Sequence, residues 1–565
     1  MNMQNQQVTA YPSIDKPWVK HYVNNKLEEV NASDSLYNNF KKITDRKQSE
    51  LAFVDYNSGL KISYLELYNQ IEAFANALSS IGITNKNKIG ILSFNCVVEP
   101  IVLLAANKIG ATVVFINPDG NPMDMAANIE YVDLLVLESV FLELEPIINK
   151  NKLSVIVYGQ CTNMSSTRCI HYEEFIKKEI SQIESHKPDK DTAALVIFSS
   201  GSTGIPKPIV HTNFTVNNAI NKMLRSDFPI NENNYLIKVI PSHIGLGVIT
   251  TMLVGLLSGV PYIQLKGLPE PVTGLPKETF DLILNYKKWI TNNDLDKNKG
   301  LILLAAPYFA KYLLSRADEL KDMSMINGIL LGGAKMHKEE LEQMDSVFGE
   351  KGLKVPVCNG YGQNEMAGAV ALNTVHNNVN GSAGYPVHGV DVKIVDRYTN
   401  EELPYNTIGK IIEQSDSKFL CYMGMPERTD ATRVILADGS EWYDTTDLGY
   451  MDEDGFLFIT GRTTRVIIKA DHKISLDVIE EKIKSLESIK EVAVVPSKTE
   501  GEIIAFVIVD KMIRSERIIE LLESNRILSP FEIPDKIEIV ESLPRMNNGK
   551  LDYQRVIVLA NEMCN

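Results

Sequence analysis

The sequence predicts a large layered α/β domain followed by a small α+β domain, and three observations carry that prediction. Short β-rich runs alternate with helical stretches through most of the chain. The texture changes to short strands and turns from about Gly381, which predicts a small β-barrel-like part. A compact helix-and-strand unit follows Gly461. The 565 residues exceed one ordinary domain, and 44% apolar with 23% charged residues is a globular mix with a sizeable core.

Taken in order, Tyr64 to Leu78 carries a helical stripe of Leu67, Ile71, Phe74, Ala75 and Leu78. Lys88 to Leu92 reads as a buried strand, and Glu99 to Ile109 as a helix stopped by Gly110. Thr112 to Ile116, Asp133 to Leu137 and Leu153 to Tyr158 read as further strands of a mainly parallel sheet. Ala193 to Phe198 is a strand running into a Ser/Gly-rich segment, and Gly245 to Gly259 reads as an apolar helix. Ile329 to Leu331 is a strand before Gly332-Gly333. Past Gly461, Ser475 can cap a helix with the stripe Leu476, Ile479, Ile483 and Leu486, and strands follow at Glu491 to Val495 and Ile503 to Val509. The division is residues 1–461 and 462–565.

The formal net charge of −15 argues against broad nucleic-acid binding, which needs Lys and Arg to displace counterions. The six cysteines form no CxxC pair or zinc spacing and read as reduced thiols. No apolar run reaches the roughly 18 residues of a spanning helix. The polar N-terminus lacks a signal pattern, so a cytoplasmic location is expected.

The strongest local signal is Ser199-Ser200-Gly201-Ser202-Thr203-Gly204-Ile205-Pro206-Lys207, directly after a buried strand. Two glycines permit a tight turn with exposed N–H groups, and four hydroxyls and a lysine add donors, which suits a polyphosphate. It is not a Walker A motif, since no Gly precedes the Lys and no Ser or Thr follows it.

From this segment outward the chain resembles the adenylate-forming superfamily of acyl- and aryl-CoA synthetases, peptide-synthetase adenylation domains and firefly luciferase. The resemblance runs from the Leu65 helix to Lys550. It is carried, in family order, by Asn107-Lys-Ile-Gly-Ala111 with Asn117-Pro118, by Ser199 to Lys207, and by Gly332-Gly333-Ala334. Asn359-Gly-Tyr-Gly-Gln-Asn-Glu365, Tyr443-Asp-Thr-Thr-Asp447, Gly461-Arg462 and Asn548-Gly-Lys-Leu-Asp552 complete the series.

The resemblance implies a mobile C-terminal lid, ATP and Mg²⁺ as reactants, and CoA or a phosphopantetheine as co-substrate. It implies that Ser199, Ser200, Gly201, Ser202, Thr203, Gly204 and Lys207 hold phosphates and that Glu365, with Thr203, meets Mg²⁺. Gly333, Ala334, Asn359, Tyr361, Gly362 and Asn364 would border the nucleotide, Asp447 the ribose, and Arg462 the ribose or α-phosphate. Lys550, with Lys207, would stabilise charge as a carboxylate attacks the α-phosphate. Gly332, Gly333 and Gly368 would border the acyl group, and His243 would line or gate it. Asp471, His472 and Lys473 would border the thiol tunnel.

Several positions depart from the family. Pro208 stands for a usual Gly, Asn364 for Thr, Thr446 for Gly, Thr464 for the usual hinge Asp or Lys, and Asp471 for the Gly at the pantetheine tunnel. A carboxylate at Asp471 would obstruct the tunnel or repel a thiolate. No Asp occurs between Leu236 and Gly267 to pair an α-ammonium, so an acid without an α-amine is expected. The Lys16-Pro17-Trp18-Val19-Lys20-His21-Tyr22 leader is similar to that of some bacterial fatty acyl-CoA ligases. A medium or long fatty acid is the first expectation and an aryl acid the second. The resemblance implies a thiol acceptor, that of CoA or of an acyl carrier protein's phosphopantetheine. The alternatives are a non-thiol acceptor and a non-catalytic nucleotide-binding relative.

Overall fold

The computed structural model describes residues 9–23, 27–118, 120, 122–144, 146, 148, 153–159, 169–177, 183–199, 206–266, 274–463, 465–469, 472–499, 502–510, 513–524, 528–529, 531–545 and 551–563. Two large sheets dominate. The eight-stranded sheet runs Cys421–Tyr422, Pro208–Thr212, Ala193–Phe198, Thr112–Phe115, Lys88–Leu92, Leu134–Glu138, Ser154–Tyr158 and Cys169–His171. Its last six strands are parallel, and the hairpin partner Pro208–Thr212 turns the edge antiparallel. The nine-stranded sheet has a parallel centre through Leu51–Asp55, Tyr262–Gln264, Asn234–Lys238, Gly300–Ala305, Ile326–Leu331 and Val357–Gln363. Lys61–Ser63 at one end, and Gly368–Leu372 with Tyr385–Pro386 at the other, are antiparallel.

Strand alternation builds the layers. Leu195 and Ile197 join one apolar cluster while Val196 and Phe198 join another. Ile302 and Leu304 share the first of these, while Leu301 and Leu303 enter a third. The shared cluster also takes in helices Tyr64–Ser80, Val98–Ile109 and Asn213–Arg225, so helices fill the space between the two sheets. Val98–Ile109 has buried residues all round, as a helix inside a core must. Gly110 closes it at φ 89°.

The stretch expected as one helix over Gly245 to Gly259 is π-helical at Leu246–Leu253 and α-helical at Val254–Ser258. Gly247 is obligatory there, since a Cβ would lie 2.3 Å from the Pro241 carbonyl oxygen. The wide turn sits beside His243, a place where π-bulges recur in proteins with sites.

An antiparallel sheet follows: Val390–Val395, Gly409–Ser415, Glu441–Met451 and Arg433–Ile435, with Leu457–Arg462 paired to Glu441–Met451. The leader binds to this part. Trp18 is buried, Lys16 pairs with Asp391, and Lys20 with Asp454. The final unit has a hairpin, Val466–Lys469 with His472–Ser475, and a three-stranded sheet, Ile489–Pro496, Ile503–Val509 and Lys536–Ile539. Helix Leu476–Lys484 buries the expected Leu476, Ile479 and Ile483. Among the described residues no helix is long and apolar enough to cross a membrane.

Candidate active site

The hairpin between Ala193–Phe198 and Pro208–Thr212 is closed at its neck, where Ser199 N–H donates to the Lys207 carbonyl at 3.0 Å. Pro208 is accommodated because it opens a strand and its carbonyl accepts from Met423 N–H at 2.8 Å. Residues 200–205, and with them the expected phosphate contacts of Ser200, Gly201, Ser202, Thr203 and Gly204, lie outside the described residues.

Lys207 Nζ donates to the Tyr422 hydroxyl at 3.2 Å, and that hydroxyl donates to Glu365 Oε1 at 2.7 Å. One tyrosine thus joins the hairpin's lysine to the candidate metal carboxylate. Burial lowers the Lys207 pKa against the pull of Glu365, and Arg428 and Arg462 lower it further. Three cations converging here is the arrangement a polyphosphate would neutralise. Tyr422 arrives because Cys421–Tyr422 pairs with Pro208–Thr212, a pairing across more than two hundred residues that no local pattern announces.

Strand Val357–Gln363 carries the next group. Tyr361 OH donates to Asp447 Oδ2 at 2.6 Å, Gln363 Nε2 donates to the same oxygen at 2.9 Å, and Arg462 Nε stands 3.1 Å from Oδ1. Burial raises the Asp447 pKa, while Arg462, then Tyr361 and Gln363, oppose the rise. The carboxylate expected at the ribose therefore already has three protein partners, which ribose hydroxyls would have to share or displace. Gln363 was not among the expected site residues. It shares Tyr361's face at i+2, so strand alternation was the available signal. The Asn359 carboxamide, expected at the nucleotide, is instead engaged within the sheet, donating to the Ser382 carbonyl at 2.7 Å and accepting from Asn373 at 3.0 Å.

Asn364 Oδ1 accepts from Gly245 N–H at 3.3 Å, which ties the Tyr361–Glu365 segment to the start of the π-helical turn. Its carbonyl is held by His211 Nε2 at 2.8 Å. Burial pushes His211 down to about 4. Between the ordinary value near 6.5 and about 4, the unfolded chain binds a proton that the folded one refuses. Stability is complete above that window and falls as pH drops through it. His211→Gln keeps a donor for Asn364, so its unfolding midpoint should fall less steeply than wild type between pH 6.5 and 4 in thermal melts.

His243 follows the strand Asn234–Lys238, and burial, with Lys238 nearby, pushes its pKa down to about 3. It is a neutral imidazole whose Nδ1 is buried without a hydrogen-bond partner. Behind it lies a buried pair, Lys238 with Glu99 at 3.1 Å, and Ser242 donates to the same carboxylate at 2.9 Å. Gly332 N–H donates to the Ala305 carbonyl at 2.9 Å, and Gly333 and Ala334 are exposed beyond it. Gly333 has φ 85°, which any side chain would strain. Gly368, φ 121°, would place a Cβ 2.9 Å from Thr250 Oγ1, beside the same turn.

Thr446, where the family has Gly, has φ 60°, an outlier for a β-branched residue. Asp444 Oδ1 accepts from its N–H at 2.8 Å, and Thr463 donates twice to its carbonyl, at 2.8 and 3.0 Å. Thr446→Gly should raise stability by about 1 kcal/mol, the left-handed penalty less the added chain freedom. Denaturant melts measure it, and an unchanged midpoint would contradict the strain.

Beyond Arg462, Arg465 pairs with Asp477 and Glu480, and its guanidinium lies 3.8 Å from the Tyr553 ring centroid. Thr464, Asp471 and Lys550 lie outside the described residues, and His472 and Lys473 begin the strand His472–Ser475. The chain flanking 546–550 is joined by the Arg545–Leu551 bridge. Of the cysteines, Cys96 and Cys358 are buried, and burial pushes the Cys96 thiol up to about 12.

Comparison with known proteins gives this geometry its family. The model of the AMP-binding enzyme matches residues 40–423, and that of the AMP-binding enzyme C-terminal domain matches 478–550. The chain belongs to the AMP-binding enzyme family. Among its relatives is peroxisomal OPC-8:0-CoA ligase 1 of Arabidopsis thaliana, 26% identical over 91% of each chain. Among solved structures, the anthranilate CoA ligase AuaEII, in complex with anthranoyl-AMP, superposes with a TM-score of 0.79 at 18% identity, over 95% of this chain and 98% of that one. The amide bond synthetase McbA of Marinactinospora thermotolerans superposes with a TM-score of 0.75 at 21% identity, over 93% and 99%. As in those AMP-binding enzymes, a large layered α/β body is followed by a small C-terminal unit.

Proposed function

We propose that this AMP-binding enzyme activates a carboxylic acid as an acyl-AMP, releases pyrophosphate, and then passes the acyl group to a thiol. The observation that carries the proposal is the Lys207–Tyr422–Glu365 chain at the neck of the hairpin, facing the Asp447 cluster with Tyr361, Gln363 and Arg462.

Both reactants are anions, so their approach requires fixed positive charge and aligned oxygens. Lys207 and the hairpin hold the outer phosphates of ATP. Asp447 takes the ribose, and Tyr361 packs against the base. A carboxylate oxygen of the acid attacks the α-phosphorus as the bond to pyrophosphate breaks, and Lys550 stabilises the charge spread over the reacting oxygens. In the second step the thiol sulfur attacks the acyl carbon, its proton passes to solvent, and AMP leaves with the former carboxylate oxygen.

Mg²⁺ fits Glu365. A single carboxylate beside a phosphate site is what this ion takes when nucleotide oxygens and water supply its remaining ligands. Among the described residues no cluster of three acidic, His or Cys side chains offers a fuller cage. Bound there with Glu365 and Thr203, the ion would neutralise phosphate charge.

A neutral His243 beside the π-helical turn suits an apolar acyl group, and a medium or long fatty acid is the preferred substrate, with an aryl acid second. The lid begins at Arg462, and its acceptor is CoA or a carrier-protein phosphopantetheine. Asp471 is the residue of this reading that disfavours a thiol. Asp471→Gly should raise thiol transfer more than adenylation, and unchanged kinetics with CoA and with carrier protein would remove that role.

Pyrophosphate release across a panel of acids, with and without CoA, tests the whole. Acid-dependent release that CoA accelerates is expected. Release that only an amine or alcohol accelerates would move the acceptor to a non-thiol, and no release with any acid would leave a nucleotide-binding relative.

A further inference from the structure

Helix Asn213–Arg225 buries a lysine that no step above uses. Lys222 Nζ donates to the Met366 carbonyl at 3.2 Å, the Ala369 carbonyl at 2.7 Å and Ser417 Oγ at 2.6 Å. Ser417 Oγ in turn donates to the Met366 carbonyl at 3.0 Å. The two carbonyls flank a pair of left-handed residues, Ala367 at φ 54° and Gly368 at φ 121°. Immediately before that turn is Glu365, and within it is Gly368. The segment from Ser417 returns to the same carboxylate residue, with Phe419 N–H on the Glu365 carbonyl at 2.7 Å and Tyr422 OH on its side chain.

We propose that Lys222 is a positioning residue for adenylation, whose ammonium fixes the Met366–Ala369 turn and thereby sets Glu365 and Gly368 together. The inference rests on the adenylation reading above. A buried ammonium is a costly way to fill a core, and an apolar side chain would fill it more cheaply. What the charge supplies is two directed hydrogen bonds to a turn whose left-handed pair joins two strands, and a third to Ser417, which itself donates to that turn. Glu413, on strand Gly409–Ser415, is fully buried with neither carboxylate oxygen hydrogen-bonded, and it is the acidic group that acts on Lys222. Asp447, Glu365, Tyr361 and Tyr443 are the other titratable groups that share an electrostatic interaction with it. Burial pushes Lys222 down and Glu413 up, and the three acceptors around Lys222 Nζ, with the coulombic pull of Glu413, favour the ammonium against that shift.

The test replaces the pair by apolar residues, Lys222→Met with Glu413→Leu, so that no buried charge is left alone. Four quantities are read: the unfolding midpoint, the rise of that midpoint on adding Mg·ATP, the KM and kcat of acid-dependent pyrophosphate exchange, and the Mg²⁺ concentration that half-saturates it. The expected result is a midpoint near wild type, a smaller rise with Mg·ATP, and kcat/KM lower by about 10-fold, with the Mg²⁺ requirement shifted upward. A folded double variant with wild-type values on all four would overturn the proposal. Should the double variant not fold, Ser417→Ala removes one acceptor of Lys222 and the Ser417 donor to the Met366 carbonyl. A raised Mg²⁺ requirement then supports the clamp, and unchanged Mg·ATP stabilisation and kinetics reject it. Failure of the unmodified protein to exchange with any acid would strike the adenylation reading itself, a result separate from these.

Discussion

Lys550→Ala is expected to lower acid-dependent pyrophosphate exchange by about 100-fold or more, because a directed donor would be lost where charge develops. The described contacts on either side of residues 546–550 survive the change. Arg545 and Leu551 stay bridged, the Tyr553 ring stays on Arg465, and Tyr553 OH still donates to Glu480 at 2.9 Å. The unfolding midpoint therefore stays at the wild-type value while exchange collapses. Near-normal exchange in this variant would contradict the assignment, since Lys207 alone would then suffice.

Glu365→Gln is expected to cost a comparable factor, about 100-fold, by removing the negative charge that attracts a hard cation. Glutamine retains an oxygen that can accept from Tyr422, so the Lys207–Tyr422 contact persists and folding is spared. The loss should be partly recovered at high Mg²⁺ concentration, which a titration of exchange against Mg²⁺ measures. Exchange equal to wild type at low Mg²⁺ would remove Glu365 from the metal's surroundings.

Much of this was legible in the chain because each feature is local. The strands Lys88–Leu92 and Ala193–Phe198 announce themselves as apolar runs, and Gly110 marks a helix end with its own conformational freedom. Lys207, Glu365 and Asp447 stand in linear motifs whose order alone carries a resemblance. What escaped reading was set by long-range pairing. Tyr422 bridges Lys207 and Glu365 because an edge strand arrives from elsewhere. Lys222 and Glu413 lie 191 positions apart and meet only when helix and antiparallel sheet pack together. In sequence each looks like a surface charge, and only burial reveals otherwise. The same holds for Lys238 and Glu99. The π-helical turn at Leu246–Leu253 escaped because an apolar glycine-punctuated run fits an α-helix equally well.

The most direct measurement of the central claim uses an acid labelled with ¹⁸O in both carboxylate oxygens, turned over with ATP and its acceptor. Attack of the carboxylate on the α-phosphorus must carry one labelled oxygen into AMP, and mass spectrometry of the products reads it. The account predicts AMP heavier by one ¹⁸O and unlabelled pyrophosphate. Label appearing in inorganic phosphate instead, or unlabelled AMP accompanying product, would contradict it.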